Sequence, residues 1–224
     1  MATVEPQYNH CLEIDNKFGR TQLGIITNQV WHEDPKRLLF LLSRYKFVSK
    51  MISGSSNVLE IGCADAFGTR IVRQSVESVL ATDIDPIFIA DCNEREKQSP
   101  WPISYRVHNI LLGPVNGPFD AIYALDVFEH IDLSYEKKFI EHSCGSLTDD
   151  GVLIIGIPSI ESQKYAAPIS KEGHVNCKTG EDLKALFKQY FSTVLSFSMN
   201  DEVVHTGFEK MAHYLFVVCS GKKT

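Results

Sequence analysis

The chain has 224 residues, of which 44% are apolar and 22% are charged, the balance of a globular protein with a sizeable core. This composition excludes a disordered chain, a collagen-like repeat and a small scaffold held together by disulfides. With 22 basic and 28 acidic residues the formal net charge is −6, so no overall positive field attracts nucleic acid or an anionic membrane. We therefore expect neither nucleic acid nor a membrane as a partner.

The six cysteines lie far apart and form no C-x-x-C pair, a pattern that is not typical of a zinc cluster or a disulfide framework. The first residues lack both the basic stretch and the apolar stretch of a secretion signal. The densest apolar run, Leu38–Leu42, is far too short to cross a bilayer. These features together predict a cytoplasmic protein.

The first 33 residues form a polar segment that we predict to be irregular, with Gly19, Gly24 and Asn28 as helix breakers. The pair Asp34-Pro35 is typical of the start of a helix, because proline is tolerated where the first backbone N–H has no partner. Apolar residues follow at positions 38, 41, 42, 45, 48 and 52, the spacing of a helix with one buried face.

The rest of the chain alternates short apolar runs with helix-like segments. The predicted strands are Val58–Ile61, Val79–Ala81, Ser104–Val107, Ala121–Leu125, Val152–Ile157, Val194–Ser198 and Tyr214–Cys219. The predicted helices are Thr69–Glu77, Pro86–Lys97, Leu133–Leu147 and a helix opened by Thr179 that ends at Gln189. This alternation predicts an α/β fold with a doubly wound, mostly parallel, seven-stranded sheet whose last strand is antiparallel. We assign residues 1–54 to an N-terminal helical cap and residues 55–224 to the main domain.

A loop of small residues follows the first predicted strand, with the sequence Glu60-Ile61-Gly62-Cys63-Ala64-Asp65-Ala66-Phe67-Gly68. Such a loop lets the backbone approach a ligand and points the first N–H groups of the next helix towards it. The spacing matches neither the dinucleotide fingerprint nor a P-loop, and a tight turn without a ligand remains an alternative. Because Ala64 and Ala66 carry methyl groups, we expect the backbone to avoid positive φ at both.

An acidic residue ends the second predicted strand. Asp83 lies 21 positions after Gly62, and a carboxylate at about this distance can accept hydrogen bonds from the two hydroxyls of a ribose. The alternative is that Asp83 caps the helix that begins at Pro86, although Asp85 is better placed for that role.

Two further strand ends carry polar residues, in His108-Asn109-Ile110 and in Asp126-Val127-Phe128-Glu129-His130-Ile131. With the glycine-poor loop and Asp83 they make four motifs in order, and residues 57–158 resemble the class I S-adenosylmethionine-dependent methyltransferases. The resemblance implies S-adenosylmethionine as the cofactor. The residues that it implies in cofactor binding are Glu60, Gly62, Cys63, Ala64, Asp83, Ile84, Asn109, Ile110 and Asp126.

The segment after the fourth strand narrows the class of acceptor. It lacks the [DN]-P-P-[YF] sequence of amino-methylating DNA enzymes, and no proline precedes a cysteine as cytosine-C5 enzymes require. The segment Asp126–His130 resembles instead enzymes that methylate small molecules. We therefore predict transfer to a small-molecule hydroxyl, such as that of a sugar or a nucleotide-linked sugar. Methylation of an amine, of a carboxylate or phosphoryl oxygen, or of a protein side chain remains an alternative, as does a catalytically degenerate subunit.

Two segments, Pro158–Lys178 and Met199–Met211, are expected at the carboxyl edge of the sheet, where open α/β sheets bind ligands. Within them, Gly173–Asn176 and Asn200–Phe208 resemble, more weakly, bacterial methyltransferases that modify sugars or polysaccharides. Since histidine can take a proton from a hydroxyl near neutral pH, we predict His174 or His205 as the catalytic base. The residues predicted to bind the acceptor are Tyr165, Asn176, Asn200, Asp201 and Glu202.

Four residues that can bind metals could meet at the same edge of the sheet: Asp126, Glu129, His174 and Asp201. Because they come from separate loops and match no metal motif, we predict no metal site. The pair Trp31-His32 has two interpretations, either a lid that closes over the cofactor or a contact that packs the following helix on the sheet.

Overall fold

The computed structural model describes residues 2–98 and 100–223, and the described strands form one eight-stranded sheet. The strands are β1 (Asn57–Ile61), β2 (Ser78–Asp83), β3 (Ile103–Val107), β4 (Phe119–Leu125), β5 (Leu147–Pro158), β6 (Phe191–Asn200), β7 (Val203–His205) and β8 (Tyr214–Lys222). Their order across the sheet is β3-β2-β1-β4-β5-β8-β6-β7.

The first five strands are parallel, and β8 is antiparallel to both β5 and β6. This confirms the predicted α/β fold with a mostly parallel sheet and an antiparallel last strand. The additional strand β7 lies in the segment Met199–Met211, which the sequence predicts as a connection. It pairs with β6 through a two-residue turn in which Asp201 has a φ of 49°, a conformation that aspartate tolerates and that tight hairpins require.

Eight α-helices are described: α1 (Asn9–Phe18), α2 (Ile25–Glu33), α3 (Arg37–Met51), α4 (Thr69–Arg73), α5 (Pro86–Gln98), α6 (Glu136–Ser146), α7 (Pro168–Gly173) and α8 (Gly180–Phe187). The Thr179 hydroxyl accepts a hydrogen bond from the backbone N–H of Asp182, which confirms the predicted start of α8. No described helix combines the length and the apolar character that crossing a bilayer requires.

The prediction that the first 33 residues are irregular is wrong, because they contain α1 and α2. Gly19, with a φ of 69°, ends α1, and Gly24 precedes the first residue of α2, so two of the three predicted breakers separate the helices. Asn28 lies inside α2, where the other residues of the helix determine the conformation.

The central strands are buried on both faces, which is why they appear as continuous apolar runs. On one face Leu59 and Ile122 pack in a core that includes Phe139 of α6. On the other face Val58 packs in a core that includes Val48 of α3. With both faces covered by helices, the carboxyl edge of the parallel strands remains for a site.

Candidate active site

The loop after β1 adopts a left-handed backbone at three positions. Gly62, Ala64 and Ala66 have φ values of 74°, 46° and 51°, so the expectation that the two alanines avoid positive φ is wrong. Hydrogen bonds hold this conformation: the Ala64 N–H donates to Asp83 Oδ2 at 2.8 Å, and the Ala66 N–H donates to the Cys63 carbonyl at 2.7 Å. These bonds offset part of the cost of about 1–2 kcal/mol that an alanine incurs there.

Neighbouring side chains leave no room for a Cβ at either glycine of this loop: at Gly68 it would lie 2.3 Å from the Tyr45 ring, and at Gly62 it would meet Val127. A Cβ built on Gly62 would lie 2.3 Å from Cγ2 of Val127, which follows β4. The loop therefore packs directly against the segment that begins with Asp126, and the two predicted motifs lie side by side.

Glu60 lies beneath the loop and is 1% exposed. Its carboxylate accepts hydrogen bonds from the hydroxyls of Tyr45, Thr69 and Tyr123. Burial raises the pKa of Glu60 to about 7, although the three hydroxyls act in the opposite direction. The hydrogen-bond partners of this carboxylate are thus protein hydroxyls beneath the loop. The predicted contact of Glu60 with a cofactor stays a prediction.

The carboxylate of Asp83 belongs to the loop and not to the start of α5. One oxygen accepts the Ala64 N–H, and the other accepts the Asp85 N–H at 2.9 Å. Asp85 itself accepts the Ile87 N–H at 2.8 Å, so Asp85 caps α5, as the sequence suggests. Beside Asp83, the side chain of Ile84 is 64% exposed, as an apolar surface for a ligand would be.

Farther along this edge, the Asn109 side chain accepts the Leu111 N–H at 2.9 Å and so caps a short 3-10 turn. Ile110 is buried in that turn. Both residues lie just after β3, and their predicted contact with a cofactor stays a prediction.

A cavity of about 490 Å³ opens at the carboxyl edge of the sheet. Its walls come from the loop after β1, from α2 and α3, from the segment after β4 and from the region of α7. The polar and charged residues among its lining are Thr27, Arg37, Arg44, Tyr45, Asp65, Asp126, Glu129, His130, Ser170 and His174. The predicted residues Gly62, Cys63 and Ala64 also border it.

Helix α2 is fastened to the loop by Asp65. The Asp65 carboxylate accepts the Thr27 N–H at 2.6 Å and the Thr27 hydroxyl at 3.0 Å, although 38 residues separate the two. This places a negative charge at the N-terminus of α2, where the helix dipole favours it. Ile26 and Val30 of α2 border the cavity, whereas Trp31 is 52% exposed. The cavity lining thus includes Val30, directly before the predicted Trp31-His32 pair, but neither residue of the pair itself.

Arg44 of α3 pairs with Asp126, a contact that sequence reasoning missed. Arg44 Nη1 lies 2.6 Å from Asp126 Oδ2, and the guanidinium lies 3.8 Å from the centre of the Tyr214 ring. The Asp126 N–H donates to the Tyr214 hydroxyl at 3.2 Å. Because 82 residues separate Arg44 from Asp126, no local pattern indicates the pair.

An acid and two histidines meet at the end of the cavity. His130 Nε2 lies 4.0 Å from Glu129 Oε1, and the rings of His130 and His174 are 5.1 Å apart. Glu129 is fully buried, and its carboxylate oxygens have no hydrogen-bond partner among the described residues. Burial, followed by the proximity of Asp126, raises the pKa of Glu129 well above its usual range. Burial and then the neighbouring His130 lower the pKa of His174.

The other predicted acceptor and base residues lie outside this cavity lining. His205 Nε2 is 2.9 Å from Asn200 Oδ1, and His205 Nδ1 accepts the Gly207 N–H. Both ring nitrogens of His205 are therefore bonded to residues of the β6–β7 hairpin or of the chain just after it. Asp201 forms the turn of that hairpin, and Glu202 borders a separate depression beside Lys46 and Lys50 of α3.

The two predicted acceptor residues of the other segment are also apart from the cavity lining. Tyr165 is 81% exposed and borders a different depression. Asn176 is 3% exposed, donates to Glu136 and accepts from Lys178. Its backbone N–H donates to the Glu129 carbonyl at 2.9 Å, so it holds the segment that carries Glu129. Acceptor binding by these residues stays a prediction.

The comparisons with known proteins agree with this geometry. A family model described as "Methyltransferase domain" matches residues 59–155, which include the loop, Asp83 and the segment after β4. This match confirms the resemblance of that part of the chain to the class I S-adenosylmethionine-dependent methyltransferases. S-adenosylmethionine is the cofactor of this family, as the resemblance implies.

Named relatives of this methyltransferase domain match over part of their length. A "Ubiquinone biosynthesis O-methyltransferase" of Xylella fastidiosa (strain M23) is 28% identical over 122 residues, 52% of this chain and 48% of that protein. An "Uncharacterized methyltransferase" of Staphylococcus carnosus is 28% identical over 119 residues, 53% of this chain and 55% of that protein. The chain therefore spans about half the length of the curated relatives it matches.

Among solved structures, the N-methyltransferase NodS from Bradyrhizobium japonicum, in complex with S-adenosyl-L-homocysteine, is similar with a TM-score of 0.61. The alignment covers 85% of this chain and 90% of NodS, at 19% sequence identity. At that identity the likeness shows the methyltransferase fold alone.

Proposed function

We propose that this methyltransferase domain transfers a methyl group to a hydroxyl of a small molecule. The observation that carries the proposal is the cavity of about 490 Å³ that joins the loop after β1 to Asp126 and His174. Its volume lies within the range of small-molecule sites. The name of the Xylella fastidiosa relative, which specifies O-methylation, supports the choice of a hydroxyl.

The residues around the loop fit S-adenosylmethionine. Gly62, Cys63 and Ala64 border the cavity with small side chains, which allow a ligand to approach the backbone closely. The Asp83 carboxylate, 8% exposed, can accept further hydrogen bonds because each of its oxygens has a second lone pair. When bound, the cofactor supplies the electrophilic methyl group. Asp83 would hold its ribose and Ile84 would pack against its adenine.

The remaining walls of the cavity can orient the acceptor and remove its proton. Helices α2 and α3 cover the cavity through Val30, Phe40 and Leu41, and so restrict the access of water. His174 borders the cavity, and its Nδ1 lies 2.8 Å from Gln163 Oε1, which fixes the orientation of the ring. Of the two predicted bases, we therefore assign to His174 the removal of the hydroxyl proton, either directly or as part of its cluster with Glu129 and His130.

Cofactor binding is the first test. The full chain would be titrated calorimetrically with S-adenosylmethionine and S-adenosyl-L-homocysteine. We expect micromolar binding, about −8 kcal/mol, that Asp83→Ala abolishes. Asp85→Ala is the matched control, because it removes the cap of α5 and leaves the carboxylate at Ala64 in place. The absence of binding to either ligand would overturn the proposal in favour of a catalytically degenerate subunit.

The acceptor is tested separately, with the wild-type chain and a labelled methyl donor. Acceptors would be offered as matched pairs that carry either a hydroxyl or an amine at the same position, beginning with nucleotide-linked sugars and then phenols. Methylation of the hydroxyl member, at a rate that His174→Ala reduces, is the expected result. Labelling confined to the amine members would contradict the proposed O-methylation.

A further inference from the structure

Three side chains at the end of the cavity have the types and spacing of metal ligands. One potential ligand atom from each of Glu129, His130 and His174 lies within 4.8 Å of the other two. Ligand atoms around a bound ion at 2.0–2.2 Å from the metal are roughly 3 Å apart, so the three groups need to close by only about 1–2 Å. Side-chain rotation alone can provide such a movement.

Hydrogen bonds hold both imidazoles by the same nitrogen. His130 Nδ1 lies 2.8 Å from the Gly173 carbonyl oxygen, and His174 Nδ1 lies 2.8 Å from Gln163 Oε1. The Gln163 amide nitrogen in turn donates to the Ser159 carbonyl, which presents the amide oxygen to His174. A carbonyl-type acceptor places the proton on Nδ1 and leaves the lone pair on Nε2. This is the arrangement by which proteins orient histidines that bind metals.

The third group is a buried carboxylate without a partner. Glu129 is 0% exposed and both of its oxygens lack hydrogen-bond partners among the described residues. An ion without compensation at such a position costs several kcal/mol. The nearby cation of Arg44 is bound to Asp126 and not to Glu129. A cation that lies between Glu129 and the two histidines would compensate this carboxylate.

We infer that Glu129, His130 and His174 bind a divalent first-row transition-metal ion at the inner end of the cavity. Two imidazoles and one carboxylate favour ions such as Co²⁺, Zn²⁺ or Fe²⁺ over Mg²⁺ and Ca²⁺, which prefer oxygen ligands. All three residues border the cavity, so the coordination positions that they leave open face it. The ion would bind an acceptor oxygen and ease the loss of its proton to water in the cavity, a role that rests on the proposed O-methylation. Because the ion then takes the Nε2 lone pair of His174, His174 acts on the acceptor through the ion and not as the base itself.

Metal binding can be measured without any turnover. The full chain, treated with a chelator and dialysed, would be titrated with CoCl₂ and separately with MgCl₂, by calorimetry and by visible absorption. We expect one Co²⁺ per chain, bound at least tenfold more tightly than Mg²⁺. Glu129→Gln and His174→Ala should each abolish that binding. Gln163→Ala, which removes the partner of His174 Nδ1, should weaken it by about 10–100-fold.

His205→Ala is the matched control, because His205 bonds within its own hairpin and lies outside the cavity lining. It should leave Co²⁺ binding unchanged. Titration with S-adenosyl-L-homocysteine shows that each variant is folded. The inference is overturned if no Co²⁺ binds, if Glu129→Gln and His174→Ala bind it as tightly as the wild type, or if the absorption is that of a thiolate ligand such as Cys177. Stoichiometric Co²⁺ binding without O-methylation would overturn the proposed function and support the metal site. O-methylation without metal binding would support the proposed function and overturn the metal site.

Discussion

At the scale of single residues, Ala64 and Ala66 determine the shape of the cofactor loop at some expense in stability. Both have positive φ, and in an alanine that conformation costs about 1–2 kcal/mol. In this conformation the Ala64 N–H donates to Asp83, which helps to stabilise the loop. Glycine would adopt the same φ without the steric cost.

We expect Ala64→Gly to raise the free energy of unfolding by about 0.5–1 kcal/mol, because relief of the steric strain exceeds the greater entropy of the unfolded chain. Ala66→Gly is the matched control. It has nearly the same φ, but its methyl group is 2% exposed, and losing that burial removes about 0.8 kcal/mol of the gain. Urea unfolding of the two variants measures both values. A decrease in stability for Ala64→Gly would contradict the left-handed loop.

The positions of the two predicted bases lead to a second prediction. His174 borders the cavity, whereas His205 bonds to Asn200 and Gly207 in its own hairpin. If the proposed function holds, His174→Ala should lower kcat by about 100-fold or more, the usual contribution of acid–base groups. His205→Ala should leave kcat close to that of the wild type. Steady-state kinetics with the methylated acceptor distinguish the two, and the reverse order of effects would exclude His174.

At the scale of secondary-structure elements, the sequence predicts those whose signal is local. The seven predicted strands correspond to seven of the eight described strands, because buried parallel strands appear as apolar runs. Two of the missed elements, α2 and β7, depend on a distant contact or on very short pairing. Helix α2 is capped by Asp65, 38 residues away, and β7 has only three residues. No window of sequence contains either signal.

The docking of α2 on the loop is one such distant contact, and it connects the covering helix to the cofactor site. Asp65 accepts two hydrogen bonds from Thr27, and its second role is within the loop, where it accepts the Phe67 N–H at 3.2 Å. A Cβ on Gly24 would lie 2.4 Å from the Asp65 Cβ, so the chain approaches the loop as closely as glycine allows. Opening of α2 therefore requires the loss of these contacts.

We expect Asp65→Ala to release α2 from the loop. Loss of a cap typically costs about 0.5–2 kcal/mol, which corresponds to exchange of the α2 amides that is faster by up to about 30-fold. Thr27→Val is the graded control, because it removes the hydroxyl contact and retains the one from the backbone N–H. Hydrogen exchange of residues 25–33 should rank the wild type as slowest, then Thr27→Val, then Asp65→Ala. Equal exchange in all three would mean that Asp65 does not hold the helix.

At the scale of the whole molecule, the sheet brings together residues that no sequence pattern connects. The strand order places the ends of β1 and β4 side by side, so the predicted loop and Asp126 meet as the resemblance implies. The resemblance did not predict Arg44, which comes from α3, or His130 as a neighbour of His174. These contacts follow from how helices and loops pack around the sheet edge, and that packing depends on the complete fold.

Glu60 joins four elements of that fold through one carboxylate. It lies on β1 and accepts the hydroxyls of Tyr45 on α3, Thr69 on α4 and Tyr123 on β4. Because it is 1% exposed, burial raises its pKa to about 7 from a usual value of 4.5. Between pH 4.5 and about pH 7, Glu60 is therefore protonated in the folded state and ionised in the unfolded state. The contribution of this group to stability is therefore fully present below pH 4.5 and is lost as the pH rises through 7.

We expect Glu60→Gln to remove this part of the pH dependence. For the wild type, the change in pKa corresponds to about 3 kcal/mol of stability lost between pH 4.5 and pH values above 7. The glutamine cannot titrate, and the three hydroxyls can rotate to satisfy its amide. Relative to the wild type, the variant should therefore gain stability as the pH rises from 5 to 8. Urea unfolding at both pH values measures the difference. A constant difference between the two proteins would show that Glu60 is ionised in the folded state throughout this range, with its charge balanced by the hydroxyls alone.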